Sequence, residues 1–266
     1  MNAPSIVNGF AYSGFQENQS PLEKEYPSTA ELEQDLKILK PLTNRIRIYG
    51  ALENSEVTAL ASNLGFNVTA GAWLGSDENT NRREIEALKS KIKNYPRIER
   101  AIVGNEVLLR NDLEPEALFK YLDEVRKSTS LPISTAEPWH VWLKNPDLVK
   151  HVDYIAVHLL PYHEGVPVEK AVDYSLERYI ELMEAYPRKK VVITEIGWPS
   201  HGPTLGAAVA SDVNQARFVR EFLAKTAKKN YDYYLMEAFD QPWKQKLEGW
   251  AGAYWGMFDA ERNEKY

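Results

Sequence analysis

The chain has no cysteine. That removes thiol catalysis, cysteine-ligated zinc and disulfide staples together, and leaves the redox state of the compartment unread. A basic excess is missing too: 32 Lys and Arg stand against 38 Asp and Glu, a formal net charge of −6. Polyanions are bound by basic faces, so nucleic acid is excluded as a partner. No apolar run approaches the ~20 residues of a membrane-spanning helix. The opening MNAPSIVNGFAYSG lacks a basic start and an apolar centre, so no export leader is visible. Work outside the cytoplasm therefore implies a leader that was removed or lies upstream. There is no GxGxxG after the first strand, no GxSxG elbow and no GxxxxGK[ST] phosphate loop.

What is present is enough apolar material for one large core. The 266 residues are 44% apolar and 26% charged, and a chain of this size buries about three quarters of its unfolded surface without staples. One domain over residues 1–266 is expected. Seven Trp and 15 Tyr are a heavy aromatic load, of the kind that lines ligand grooves as well as cores.

Short β-rich segments begin near Ile6, Arg45, Asn67, Arg100, Pro132, Asp153, Val191 and Tyr233. Their spacing of about 30 residues is that of a βαβ unit. Amphipathic stripes lie between them. Ser28 and Glu31 have capping-box spacing before Leu32, Leu36 and Leu39. Further stripes are Ile85/Leu88/Ile92, Leu118/Leu122/Val125 behind Pro115, Val168/Val172/Tyr179/Met183 and Val219/Phe222/Leu223. Eight such units predict an α/β fold, a closed (β/α)8 TIM barrel. After EAFDQPWK no long amphipathic stripe follows. The eighth helix is therefore expected to be abbreviated, or the chain to be cut from something longer.

Reactive groups of such a barrel sit at the C-terminal ends of its strands. Those ends offer Tyr12, Arg47 with Tyr49, Trp73, Asn105 with Glu106, Glu137 with Trp139, His158 with Tyr162, Glu195 with Trp198, and Glu237 with Asp240 and Trp243. A carboxylate straight after a buried strand needs a partner or must shift its pKa. Glu106 and Glu195, on the fourth and seventh strands, form a candidate pair across one mouth. Glycoside cleavage needs two such carboxyl groups, about 5–5.5 Å apart for a retaining route and about 6.5–9.5 Å for an inverting one. The segment HLLPYHE also puts His158, His163 and Glu164 close in sequence, a metal candidate that lacks a further ligand. Its plainer reading is a hydrogen-bonded strand histidine and a solvated loop histidine. No cofactor and no metal is expected.

VGNE on the fourth strand, TEIGWPS on the seventh and RIYG on the second resemble glycoside hydrolase family 17, over about Ile6 to Phe258. The resemblance implies a (β/α)8 enzyme acting on β-1,3-glucan with retention. QSP with YPS, AVAS…NQARFVREFL and YYLMEAFDQPWK are similar to the bacterial branch. That branch implies a catalytic domain fused to a membrane glycosyltransferase and lying in the periplasm or otherwise outside the cytoplasm. Gln241 stands where the plant branch carries a glutamate, which counts against plant-style endohydrolase specificity.

On this resemblance Glu106 is the general acid/base and Glu195 the nucleophile. Arg47 is placed to keep Glu195 ionised, Glu106 needs the higher pKa of the two, and Asn105 is placed to bond the sugar 2-hydroxyl. Tyr49 or Tyr162 is a candidate to donate to Glu195. Tyr12, Glu137, Glu237 and Asp240 are candidate contacts to sugar hydroxyls, or else loop anchors. Trp139, Trp198 and Trp243 are candidate platforms for pyranose rings, or else core; Trp250 and Trp255 pack the barrel bottom or wall an acceptor site. The expected partners are β-1,3-glucan oligosaccharides as donor and acceptor. The expected activity is mainly glucanosyl transfer (elongation, branching or cyclisation), with endo-hydrolysis of the same glucan as the alternative. A metal-dependent barrel hydrolase and a non-catalytic glucan-binding module are the remaining readings.

Overall fold

Strand and helix alternate through the whole chain in a computed structural model that describes residues 7–227 and 229–266. In order come β1 (Phe10–Ala11), α1 (Thr29–Leu39), β2 (Arg45–Arg47), α2 (Val57–Asn63), β3 (Asn67–Ala72), α3 (Glu78–Asn94) and β4 (Ile98–Asn105). The second half has α4 (Pro115–Ser128), β5 (Ile133–Pro138), α5 (Trp139–Lys144), β6 (Tyr154–Leu159), α6 (Val168–Ala185), β7 (Lys190–Ile196), α7 (Asp212–Thr226), β8 (Tyr233–Leu235) and α8 (Gln245–Glu248). The strands close in sequence order into a parallel barrel, with Phe10 of β1 paired to Leu235 of β8. The closed barrel expected from the pattern is the one observed. The expected start of the first strand at Ile6 lies outside the described residues.

Strand parity separates two cores. Ile102, Ala136, Tyr154, Ala156, Val192 and Tyr234 form a cluster of their own inside the barrel. Their neighbours of opposite parity, such as Ala101, Val103, Ile155, Val157 and Ile193, pack outward against the helices. The expected stripes meet this outer core, and the Ser28–Glu31 capping box forms. Met183 is the exception: it is 47% exposed and does not continue the α6 stripe.

The strand starts are tied at the N-terminal face. Arg45 bonds Glu99 at 2.6 Å and Asp232 at 2.8 Å, while Arg100 and Lys190 reach Asp232 Oδ2 at 3.0 and 2.5 Å. Burial alone would raise the Asp232 pKa; Arg100, Arg45 and Lys190 together overcome it and hold the carboxyl far below its ordinary value. A depressed native pKa stabilises the fold above the unfolded value, near 4, and that contribution fades as pH falls toward the native value. Asp232→Asn is therefore expected to cost about 3 kcal/mol at pH 7, by analogy with breaking a buried pair. The deficit against the parent should shrink below about pH 4, which denaturant melts at pH 7 and pH 3 measure.

The eighth helix is abbreviated to the four residues of α8, set between short 3₁₀ turns at Pro242–Lys244 and Trp250–Ala253. In place of a longer helix the last residues fold back over the β1 and β8 ends. Phe258 bridges Phe239 and Glu264, and Arg262 donates to both oxygens of Asp35 at 2.8 Å. Among the described residues no helix is long and apolar enough to cross a membrane.

Candidate active site

Regular alternation along β4 would send Asn105 and Glu106 to opposite sides. The backbone breaks that alternation: Gly104 has φ +87° and Glu106 φ +53°, and the register with β5 shifts between Ile102 and Asn105. At Gly104 an added Cβ would sit 2.6 Å from Val107 Cγ2, so only glycine fits. Glu106 occupies a region that costs an L-residue roughly 1–2 kcal/mol, and its N–H is tied to Ala136 O at 2.7 Å. As a result both side chains reach the mouth. Asn105 Oδ1 accepts from Arg47 Nη2, and Glu106 Oε1 lies 2.7 Å from His158 Nδ1.

Glu195 follows the buried run of β7 and is 4% exposed. Arg47, equally buried on β2, donates from Nη1 to Glu195 Oε1 at 2.7 Å and to Thr194 O at 2.9 Å. The ring of Tyr49 lies 4.6 Å from that guanidinium. Its hydroxyl is buried without a hydrogen-bond partner among the described residues, so it flanks Glu195 without donating to it. His158 is the strand-pairing partner of Glu195 across β6 and β7, which brings its Nε2 to 3.3 Å from Glu195 Oε1. One oxygen of Glu106, one of Glu195 and a ring nitrogen of His158 all lie within 4.8 Å of one another. That is the spacing of a retaining pair, short of the ~6.5 Å at which an inverting pair begins.

The electrostatics reverse one expectation. Glu106 is expected to be raised by its strand-end setting; burial does push it up, but the His158 hydrogen bond and charge, with Arg110 and His163 behind them, bring it below the ordinary carboxylate value. The raised carboxyls are behind the pair instead. Burial takes Glu137 up to about 7 against two backbone N–H bonds, and takes Glu237 up to about 7 against Lys244.

Several candidates turn out to hold the frame and not the mouth. Glu137 accepts from the N–H groups of Leu108 and Leu109, pinning the loop behind Glu106. Glu237 is fully buried with both oxygens on Lys244 Nζ, at 2.9 and 3.0 Å. Asp240 accepts from Gly256 N–H and pairs with Lys265. Tyr12 donates to Asp35 on α1, and Tyr162 to Pro203 O, so Tyr162 does not orient Glu195. Trp198 is buried against Tyr162 and Phe218, with its N–H on Val209 O, and cannot stack on a sugar. Trp139 and Trp243 stay half-buried, their N–H groups held by Glu164 and Gln241. Trp255 is buried beside Tyr162 and His163 at the mouth, not at the bottom, whereas Trp250 is 53% exposed.

The His158–His163–Glu164 metal candidate does not assemble. His163 stacks towards Trp255 at 5.2 Å, and Glu164 accepts from Trp139 and Tyr174. Of the three only His158 meets the two glutamates, and the oxygen of Glu195 that it faces is already occupied by the Arg47 cation. A fixed positive charge on that oxygen opposes a divalent ion. Lys244 is the partner residue that the sequence reading passed over, whereas His158 is the hydrogen-bonded strand histidine of its plainer reading, here set between both glutamates.

The BtgE/BtgC glycoside hydrolase domain family matches residues 9–256. The chain belongs to that family. Its fold is shared with a glycoside hydrolase family 17 β-1,3-glucanosyltransferase from Rhizomucor miehei, at TM-score 0.86 and 28% identity over 99% of this chain and 96% of the other. A probable glucan endo-1,3-beta-glucosidase, btgC, of Aspergillus flavus is 32% identical over 93% of this chain. The chain spans about two fifths of the length of that relative (41%). A glucan 1,3-beta-glucosidase of Arthroderma benhamiae is 27% identical over 99% of this chain and 92% of its own length.

Proposed function

We propose that the chain is a retaining enzyme on β-1,3-glucan, acting mainly as a glucanosyltransferase. The observation that carries the reading is the carboxylate pair: oxygens of Glu106 and Glu195 within 4.8 Å, one bound to Arg47 and the other residue to His158. Glu195 attacks the anomeric carbon while Glu106 gives a proton to the leaving oxygen. The C–O bond to the leaving group breaks as the bond to Glu195 forms. Glu106 then takes a proton from the incoming hydroxyl, which displaces Glu195. Water as that acceptor yields hydrolysis, and a sugar yields transfer. A sugar held in place competes with water through its high effective concentration. The half-exposed Trp139 is suited to such an acceptor wall, its indole fixed by Glu164 and by Arg178 at 4.9 Å from the ring.

Supporting the substrate are the Rhizomucor miehei glucanosyltransferase, whose active-site mutant is known in complex with laminaritriose, and the glucan 1,3-beta-glucosidases among the relatives. The endo-glucosidase name of the Aspergillus relative favours hydrolysis as the second reading. Purified chain incubated with laminari-oligosaccharides is expected to form products longer than the donor, read by size. Products no longer than the donor would replace transfer with endo-hydrolysis. Placement in the bacterial branch, fusion to a membrane glycosyltransferase and a position outside the cytoplasm rest on the quoted motifs alone; the relatives compared are fungal.

A further inference from the structure

We propose that His158 stores, between its Nδ1 and Glu106, the proton that Glu106 delivers to the leaving oxygen. This rests on the reading of Glu106 as general acid and makes His158 a positioning residue that acts through it. The Nδ1–Oε1 distance of 2.7 Å holds one proton between ring and carboxylate. Written on nitrogen it makes an imidazolium beside a carboxylate; written on oxygen it makes an imidazole beside a carboxylic acid. The composition is the same, and only the second form protonates a glycosidic oxygen.

The geometry gives the ring no other task. His158 is 1% exposed, and its Nε2, buried without a hydrogen-bond partner among the described residues, lies 3.3 Å from Glu195 Oε1. An N–H there faces a carboxylate; a bare nitrogen would set two lone pairs against each other. Nε2 therefore keeps its hydrogen, and the Nδ1 proton is the one free to move. As the C1–O bond lengthens, that proton passes from Nδ1 to Oε1, and Glu106 passes one to the departing oxygen. In the second half the proton of the incoming hydroxyl goes to Glu106 and the pair regains it, so nothing is gained or lost over a cycle. The low Glu106 pKa noted above is the resting face of this arrangement. The charges bearing on the pair are Arg110 and Glu137 on the Glu106 side, Glu195 and Arg47 on the other, His163 on the loop after β6, and Glu248 of α8.

The test is leaving-group dependence. In His158→Asn the amide takes the place of Nδ1 and still donates to Glu106, but it cannot give up a proton. Its kcat/KM on laminari-oligosaccharides is expected to fall on the order of 10²-fold or more, the reach of a general acid. On 2,4-dinitrophenyl β-laminaribioside, whose leaving group needs no proton, the fall is expected below about tenfold. The alkaline limb of the pH profile should move to lower pH, because a proton shared by two bases leaves at higher pH than from either alone. His158→Gln is the second variant should the first fold poorly, and it is expected to behave alike. Equal losses on both substrates with the alkaline limb unmoved, or an unchanged rate, would overturn the proposal. Glu106→Ala on the same two substrates separates the failures. If it spares the activated substrate and azide rescues it while His158→Asn does not discriminate, this inference alone falls. If Glu106→Ala does not discriminate either, the general-acid reading falls with it.

Discussion

Glu195→Gln is expected to lower kcat on laminari-oligosaccharides on the order of 10⁵-fold, as removal of a covalent nucleophile does elsewhere, while oligosaccharide binding stays within a few-fold. The substitution keeps the shape of the side chain, and its amide oxygen still accepts from Arg47 Nη1, now at 2.7 Å from Glu195 Oε1. What disappears is the charge that attacks the anomeric carbon. Hydrolysis and transfer share that first bond, so both product series should vanish together. Initial rates and calorimetric binding of laminaritriose measure the two halves. Turnover surviving within tenfold would remove Glu195 from the reaction and reopen the metal-dependent reading.

Arg47→Leu is expected to damage stability and activity together. The guanidinium is 1% exposed and holds three acceptors: Glu195 Oε1, Thr194 O and Asn105 Oδ1. Leucine strips a buried carboxylate of its Arg47 hydrogen bond and countercharge, a loss of about 3–5 kcal/mol. For a domain of this size that is roughly 10 °C in Tm. Arg47→Lys, which keeps the charge but not the fork, should fall between parent and leucine in both thermal melts and initial rates. A leucine variant with parental Tm and parental rate would show that Arg47 carries no such burden.

Residues around the mouth differ in how visible they are in the sequence. Glu195 and Arg47 stand at the ends of runs whose burial was plain from composition, and a charge at such a place demands a partner. His158 sits at an equally visible strand end, yet a buried histidine by itself is as readily a packed core residue, so its role rests on the β6–β7 register. Trp198 shows the opposite error. It follows a candidate nucleophile at a distance of three residues, but the backbone turns it towards α7, where Phe218 and the Val209 carbonyl receive it.

Periodicity, capping and turn residues act within a few positions of themselves, and they sufficed to set eight strands, most of the helical stripes and the short last helix. The motifs at the strand ends sufficed to single out the glutamate pair. Which carboxylate carries which partner was decided only when the barrel closed. The positive φ angles at Gly104 and Glu106 turn consecutive side chains to one side, and Lys244, Lys265 and Asp35 hold Glu237, Asp240 and Tyr12 in the frame. Burial and pairing energies depend on groups up to 248 residues apart in the chain, and no local pattern contains them.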